Sequence, residues 1–332
     1  MNYLSGDIGG TNTRLIYFSE SSLGRKIIAE TFYKSKKYST FEMALKQFIS
    51  ENSINSIDAA CLAVAGPVTS GIVSVTNLPW VVSEEKLKGE FKIPYVKVIN
   101  DFVAIAYGLS ELKNSDFLTL QSFDHDISDD LNNDAVVVGA GTGLGVSHLI
   151  CKNGVYHPQS SEAGHASFSA HNQQQCNLLS WLMKKDNHVS QESILSGRGL
   201  LTIYRYLRDV EGLAESSEIS DKFVGSDPAQ VIAESALADT DTLCVKTVNM
   251  FISIYGGTAS DIVLHYYPVS TLYIAGGIAA KISKLMTAGT FLHAFLSKGL
   301  MADNMKKIEI KLVCEERAGL LGAMAQSALL TK

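Results

Sequence analysis

Two short glycine-rich segments set the narrowest limits on what this chain can fold into. They are Gly6-Asp7-Ile8-Gly9-Gly10-Thr11-Asn12 near the start and Gly139-Ala140-Gly141-Thr142-Gly143-Leu144-Gly145 in mid-chain. Each follows a predicted strand, over 2–5 and 134–138, and precedes a second apolar run, over 14–18 and 146–150. That order predicts a β-hairpin with a glycine-rich tip. Lacking Cβ atoms, such a tip turns tightly and brings its backbone N–H groups close to an anion, while the threonine hydroxyls add donors. Either segment alone is equally a plain hairpin turn; the pair offers two tips able to grip a polyphosphate. Neither loop contains the lysine of G-x-x-x-x-G-K-[ST], and Leu144 or Val146 stands where G-x-G-x-x-G needs its last glycine. A Walker nucleotidase and a Rossmann dehydrogenase are therefore disfavoured.

The 332 residues have room for two domains with separate cores. A net charge of −6 and the lack of any lysine or arginine block argue against a nucleic-acid partner, and Lys34, Lys36 and Lys37 read as a solvated loop. No apolar run is long enough to span a membrane, and Asp7 interrupts the start of the chain, so no membrane partner and a cytoplasmic location are expected. Cys61, Cys151, Cys176, Cys244 and Cys314 lie far apart without a C-x-x-C pair, which predicts isolated thiols rather than a zinc knuckle or a disulfide framework.

Between the glycine segments, Ser39 and Glu42 predict a capping box for a helix whose apolar face is Phe41, Leu45, Phe48 and Ile49. A buried strand is predicted over 59–65, and another over 95–99 that delivers Asn100 and Asp101 at its carboxyl end, ahead of a helical run over 102–109. Polar groups at that end of strands in an open α/β sheet are where ligands usually sit. The polar stretch 122–133 reads as a connector. Helices are predicted over 229–238 and 243–267, the latter broken by Gly256-Gly257 and closed by Pro268. A strand over 271–275 meets Gly276-Gly277 and a helix from Ile278, and a strand over 308–313 precedes a C-terminal helix from Ala318. Alternating strands and helices imply α/β layers, and the similar openings of the two halves suggest related domains.

From residue types alone, Asn100-Asp101 reads first as a helix cap and second as a carboxylate base. Asp7 reads as a turn-satisfying group or a metal-linked one. Eight segments run in order over almost the whole length: D-I-G-G-T-N-T-R-L from Asp7, T-N-L-P-W from Thr76, I-N-D-F from Ile99 and G-A-G-T-G-L-G-V from Gly139. They continue with E-A-G-H from Glu162, E-S-I-L-S-G-R-G-L from Glu192, I-A-G-G-I from Ile274 and A-G-L-L-G from Ala318. In these segments the chain resembles the bacterial-type glucokinases of the actin-like, hexokinase-type ATPase fold.

The resemblance implies a two-domain α/β fold of the actin-like (ribonuclease H-like) class with an interdomain cleft. It places residues 1–110 plus 315–332 in a small domain and 111–314 in a large one. It implies ATP-dependent phosphorylation of glucose at the 6-hydroxyl, the first step of glycolysis, by a homodimer using Mg2+ with ATP. Asp101 would be the general base. Asn77, Asn100, Asp101, Glu162, His165 and Glu192 would bind the sugar, whose hydroxyls each donate and accept and so suit carboxylates, amides and an imidazole. Asp7, Gly9, Gly10, Thr11, Asn12, Gly141, Thr142, Gly143, Gly276 and Gly277 would bind the nucleotide, with Asp7 holding the magnesium directly or through water.

Other readings of the same residues are weaker. A kinase of the repressor and sugar-kinase group called ROK would follow E-x-G-H with a C-x-C-G zinc pattern, and here only Cys176 is within reach. A sugar-responsive repressor would need a helix-turn-helix ahead of Gly6, and a silent sugar sensor would not need Asp7 and Asp101. Glu162 and His165 lack the H-E-x-x-H pattern of a zinc site. Two departures from the family stand out: Ala163 in place of glycine, and Arg198 in place of proline.

Overall fold

The computed structural model describes residues 1–21, 24–123 and 133–331. Most of the predicted connector, 124–132, lies outside them. The chain divides into two compact units, Met1–Lys113 with Arg317–Lys332, and Asn114–Glu316.

The first unit opens with β1 (Asn2–Ile8), β2 (Asn12–Ser21) and β3 (Gly24–Lys34), then α1 (Phe41–Glu51) and β4 (Ala59–Val64). The short strands β5 (Ile72–Ser74) and β6 (Val81–Ser83) pair with each other, and α2 (Glu84–Phe91), β7 (Tyr95–Asn100) and α3 (Asp101–Gly108) follow. In the second unit come β8 (Phe117–Gln121), β9 (Ala135–Ala140), β10 (Leu144–Lys152) and β11 (Val155–Ser161), then α4 (Gln173–Leu182), α5 (Gly197–Asp209), α6 (Ser217–Lys222), α7 (Pro228–Leu237) and α8 (Thr242–Tyr266). It ends with β12 (Thr271–Ala275), α9 (Gly277–Lys281), α10 (Ser283–Met286), α11 (Thr290–Leu296), α12 (Ala302–Met305) and β13 (Glu309–Val313). The chain then returns to the first unit as α13 (Ala318–Leu329).

One strand plan is used twice. The first sheet runs β3-β2-β1-β4-β7 and the second β11-β10-β9-β12-β13, with β8 added at its edge. In each, three antiparallel strands lead into two parallel ones. Both glycine segments therefore occupy hairpin tips, β1–β2 and β9–β10. The central strands β4 and β9 are buried at every residue, as strands covered on both faces must be.

Two local expectations are corrected. The N-cap of α1 is Thr40, whose hydroxyl accepts from Met43 N–H, one residue after the predicted Ser39. Glu42 completes no capping box; it is buried and pairs with Lys86 at 2.8 Å. Helix α8 also runs unbroken through Gly256-Gly257. A helix interior tolerates glycine at a cost of about 1 kcal/mol, and here the missing side chain is what allows close packing. A Cβ on Gly256 would lie 2.2 Å from the Phe291 carbonyl oxygen of α11.

In the first unit α13 crosses α3 with the same economy of space. A Cβ on Gly322 would stand 1.9 Å from the Ala104 oxygen, and one on Gly108 would stand 1.9 Å from the Ala318 oxygen. Both obstacles are backbone, which cannot rotate away. Gly322→Ala is expected to destabilise the protein by about 1–3 kcal/mol in chemical denaturation. Gly89→Ala, on α2 with open space around it, is expected to be neutral or stabilising by up to about 1 kcal/mol. Equal effects of the two substitutions would contradict the packing account.

Candidate active site

In the first unit, the parallel register aligns Asp7 of β1 with Ala63 of β4, and Ala63 with Ile99 of β7. Asp7 and the Asn100-Asp101 pair therefore emerge together at the carboxyl ends of these parallel strands. Asn100 is the N-cap of α3, its Oδ1 accepting from Phe102 N–H at 2.8 Å and Val103 N–H at 3.3 Å. Its Nδ2 donates to the Gly66 carbonyl at 3.1 Å. Its amide is thus engaged in holding the strand-to-helix corner, and it also hydrogen-bonds the neighbouring Asp101 carboxylate. Asp101, the first helical residue, accepts from Phe102 N–H at 3.0 Å.

Burial, and after it the negative charge of Asp7, push the Asp101 carboxyl up to about 7, against the smaller opposing effect of hydrogen bonds from the backbone and from the Asn100 side chain. Burial also raises Asp7, with the Arg14 guanidinium across the strand pair opposing it. Arg14 is itself paired with Glu30 and lies over the Phe32 ring. The result is two neighbouring carboxylates of elevated basicity.

The β1–β2 tip is closed by Gly9 N–H donating to Asn12 O at 2.9 Å. Gly10 packs against the turn that carries Asn77: a Cβ there would stand 2.6 Å from the Thr76 oxygen. Asn77 is exposed and held at φ 64°, a left-handed conformation that asparagine tolerates better than most residues. Thr11 and Asn12 are exposed at the tip, with Asn12 Oδ1 accepting from Lys34 Nζ at 2.9 Å. Ser35, which sequence reasoning passed over, braces the tip. Fully buried, it donates from Oγ to the Gly9 oxygen at 2.8 Å and from its N–H to the Thr11 oxygen at 3.0 Å. Lys36 and Lys37 beside it are exposed.

In the second unit, Gly141 N–H donates to Gly143 O at 2.8 Å to close the β9–β10 tip, and Gly197 N–H donates to Gly141 O at 2.9 Å. The start of α5 is thereby fastened to the tip. Glu192 lies against the tip: its Oε2 accepts from Leu144 N–H at 3.0 Å, and a Cβ on Gly143 would stand 2.3 Å from that oxygen. Gly164 approaches the Leu144 carbonyl as closely, and its own carbonyl accepts from Glu192 N–H at 2.9 Å. Glu162 and His165 flank Gly164 in a single 3-10 turn, both exposed, with Nε2 and Oε2 3.8 Å apart. Leu144 is thus the point where the Glu162–His165 turn and Glu192 converge.

A pocket of about 370 Å³ lies beside this tip, within the usual size range of small-molecule sites. Gly141 and Thr142, Gly197 and Arg198, and Gly277 line it together with apolar Leu200 and Ile278. Gly276, at φ 88°, is not in the lining; it makes the turn possible, because a Cβ would meet the Ala140 oxygen at 2.5 Å. Tyr255 of α8, absent from the sequence reading, anchors this end of β9. Its hydroxyl accepts from Ala140 N–H at 3.0 Å and donates to Val138 O at 3.4 Å. No local pattern distinguishes such a tyrosine from any other core residue of a long helix.

The candidate residues fall in both units: Asp7, Gly9, Gly10, Thr11, Asn12, Asn77, Asn100 and Asp101 in the first, and Gly141, Thr142, Gly143, Glu162, His165, Glu192, Gly276 and Gly277 in the second. Among the described residues no group of three or more His, Cys, Asp or Glu side chains is arranged to hold a metal ion. No helix among them is long and apolar enough to cross a membrane.

Comparison with known proteins bears on this geometry. The family profile described as Glucokinase matches residues 4–329. A glucokinase of Nostoc sp. (strain PCC 7120 / SAG 25.82 / UTEX 2576) is 36% identical over 343 residues, covering 98% of this chain and 99% of its own. The crystal structure of a glucokinase from an Antarctic psychrotroph aligns with a TM-score of 0.80 at 29% identity, over 99% of both chains. A glucokinase from Balamuthia mandrillaris, solved in complex with glucose, gives a TM-score of 0.80 at 21% identity over 98% of this chain and 93% of its own, a likeness of fold alone. The fold is the two-domain α/β arrangement of the actin-like ATPases.

The elevated Asp101 pKa has a consequence for stability. An aspartate raised from about 3.9 in the unfolded chain to about 7 in the fold contributes stability that is complete below about pH 4 and is lost as pH rises through about 7. Asp101→Asn keeps an oxygen for Phe102 N–H and carries no charge. Its melting temperature is expected to exceed that of the unsubstituted protein by a few degrees at pH 8 and to match it near pH 4. The same difference at both pH values would contradict the assignment.

Proposed function

The chain belongs to the glucokinase family, and on that premise we propose that it transfers the terminal phosphoryl group of ATP to the 6-hydroxyl of glucose, giving glucose 6-phosphate and ADP, the first step of glycolysis. The observation that most directly supports this reading is Asp101, a carboxylate at the start of a helix and the end of a parallel strand whose pKa is about 7. A sugar hydroxyl is a weak nucleophile, and a base works best when its pKa lies near the working pH. Asp101 takes the proton of the 6-hydroxyl as that oxygen attacks phosphorus. The rest of phosphoryl transfer is alignment and charge stabilisation.

Gly9 N–H and Gly141 N–H close the tips themselves, and the tips so shaped offer backbone and side-chain donors to the phosphates, Gly10, Thr11 and Asn12 from one and Thr142 and Gly143 from the other. The pocket beside Gly141, Thr142 and Gly277 suits the adenosine portion, with apolar walls for a flat base. Asn77, Asn100, Asp101, Glu162, His165 and Glu192 hold the hexose hydroxyls. Glu192 commits one oxygen to Leu144 N–H and keeps the other for the sugar, while Asn100, whose side chain also bonds Asp101, holds the corner that presents that carboxylate.

Magnesium fits this residue set. It is bound in phosphate sites by one or two carboxylates together with phosphate oxygens and water rather than by a full protein cage, and Asp7 is a carboxylate destabilised by burial that a cation would relieve. Asp7 would hold it, and the ion would neutralise charge on the phosphates. A cytoplasmic homodimer completes the reading; light scattering on the purified protein is expected to give about twice the chain mass of 35.9 kDa.

The direct test is a coupled assay with Mg–ATP and a panel of glucose, mannose and glucosamine. Glucose is expected to be phosphorylated at the 6-hydroxyl, and failure with every hexose would refute the reading. Asp101→Asn and Asp101→Ala are expected to retain the fold and lose about 100-fold or more in turnover. Glu162→Gln and Glu192→Gln are expected to raise the Michaelis constant for glucose, since hydrogen bonds to charged groups contribute about 1.5–3 kcal/mol each. An unchanged constant in both variants would remove these residues from the sugar set.

A further inference from the structure

Arg198 stands where two parts of the second unit meet. It lines the pocket beside the β9–β10 tip, and its Nη2 lies 3.6 Å from Oε1 of Glu192. Glu192 is itself tied by Oε2 to Leu144 N–H, directly under the glycines of the tip. A single side chain therefore joins the nucleotide-side pocket to a carboxylate of the sugar set.

The location of Arg198 calls for an anion. It is the second residue of α5, a helix with no acidic residue in its first turn, whose Gly197 N–H is already turned to the tip. The amino end of a helix carries a partial positive charge, so a cation there is disfavoured unless an anion lies close. Glu192 is that anion in this structure, but at 3.6 Å, with the arginine side chain 81% exposed, it holds Arg198 loosely. A nucleoside polyphosphate in the adjoining pocket presents a stronger partner, because guanidinium binds phosphate oxygens through paired donors.

We propose that Arg198 couples the two substrates: without nucleotide it sits on Glu192 and weakens that carboxylate as an acceptor for glucose, and with ATP bound it turns to the phosphates and releases Glu192 Oε1 to the sugar. The inference rests on the glucose-kinase reading above and assigns within it a role to a side chain that the sugar and nucleotide sets do not include. Arg198 is a positioning residue with respect to glucose, acting through Glu192, and a direct contact for the nucleotide phosphates. The exchange is modest, since exposed ion pairs contribute about 0.2–1 kcal/mol, equivalent to roughly a 1.5- to fivefold change in affinity.

Calorimetric titration of glucose into the full-length protein and into Arg198→Gln, each with and without a non-hydrolysable Mg–ATP analogue, tests the proposal. Arg198→Gln is expected to bind glucose about 1.5- to fivefold more tightly than the unsubstituted protein when nucleotide is absent. The tightening of glucose binding by the analogue is expected to shrink by the same factor, and the Michaelis constant for ATP to rise. Arg198→Lys, which keeps the charge and loses the paired donors, is expected to fall between the two. Unaltered glucose affinity and unaltered nucleotide dependence in Arg198→Gln would overturn the proposal while leaving the glucose-kinase reading in place. Absence of glucose binding by the unsubstituted protein would overturn both.

Discussion

The parallel register of β1, β4 and β7 is the constraint on which the rest of the chemistry depends. With adjacent strands about 4.8 Å apart, alignment of Asp7 with Ala63 and of Ala63 with Ile99 brings two carboxylates to the carboxyl ends of the parallel strands within reach of each other's charge. Their mutual repulsion adds to burial in raising Asp101. A one-residue slip in either pairing would turn a side chain to the opposite face and dissolve the pair. The register is secured by β4, whose six residues are all buried, and by the α3–α13 crossing, where glycines at 108 and 322 let two helices meet at backbone distance. Stability and electrostatics are linked here: the packing that fixes the register also supplies the low-dielectric surroundings that raise the Asp101 pKa.

The second unit repeats the strand plan with a different chemical emphasis. Its hairpin tip has no acidic residue corresponding to Asp7; instead Glu192 reaches it from another segment, fixed by Leu144 N–H and by the absence of a side chain at Gly143. One architecture thus yields a carboxylate pair in one copy and a pocket beside the glycine tip in the other. The glycines are explained position by position. Gly10, Gly143, Gly164 and Gly276 each stand where a Cβ would fall within about 3 Å of a neighbouring oxygen, so tip geometry follows from close approach as much as from flexibility.

Much of this was legible in the sequence. The hairpins announced themselves through glycine and threonine between apolar runs, and the strands 59–64, 95–100 and 271–275 through apolar runs ended by turn residues or polar caps. The less legible elements lacked those signals. Strand β3 is an edge strand with exposure on both faces, so it shows little alternation, and α5 begins Gly-Arg-Gly, a poor helix opening by propensity that tertiary contact with Gly141 makes possible. Gly256-Gly257 misled for the converse reason: a propensity cost was overridden by packing against α11 and His171. Ser35 and Tyr255 hold the two tips through contacts distant in sequence, which no local pattern encodes. At the site, Asn100 is the helix cap that its residue type suggests, and its side chain also bonds the Asp101 carboxylate.

The central claim is that burial and Asp7 together poise the Asp101 carboxyl near neutrality. It is tested most directly by following the carboxyl carbon of Asp101 by carbon-13 NMR through a pH titration of the substrate-free protein and of Asp7→Asn. The account predicts a midpoint near pH 7 that moves downward when the Asp7 charge is removed. A midpoint near the ordinary aspartate value of about 3.9, unaffected by Asp7→Asn, would contradict it.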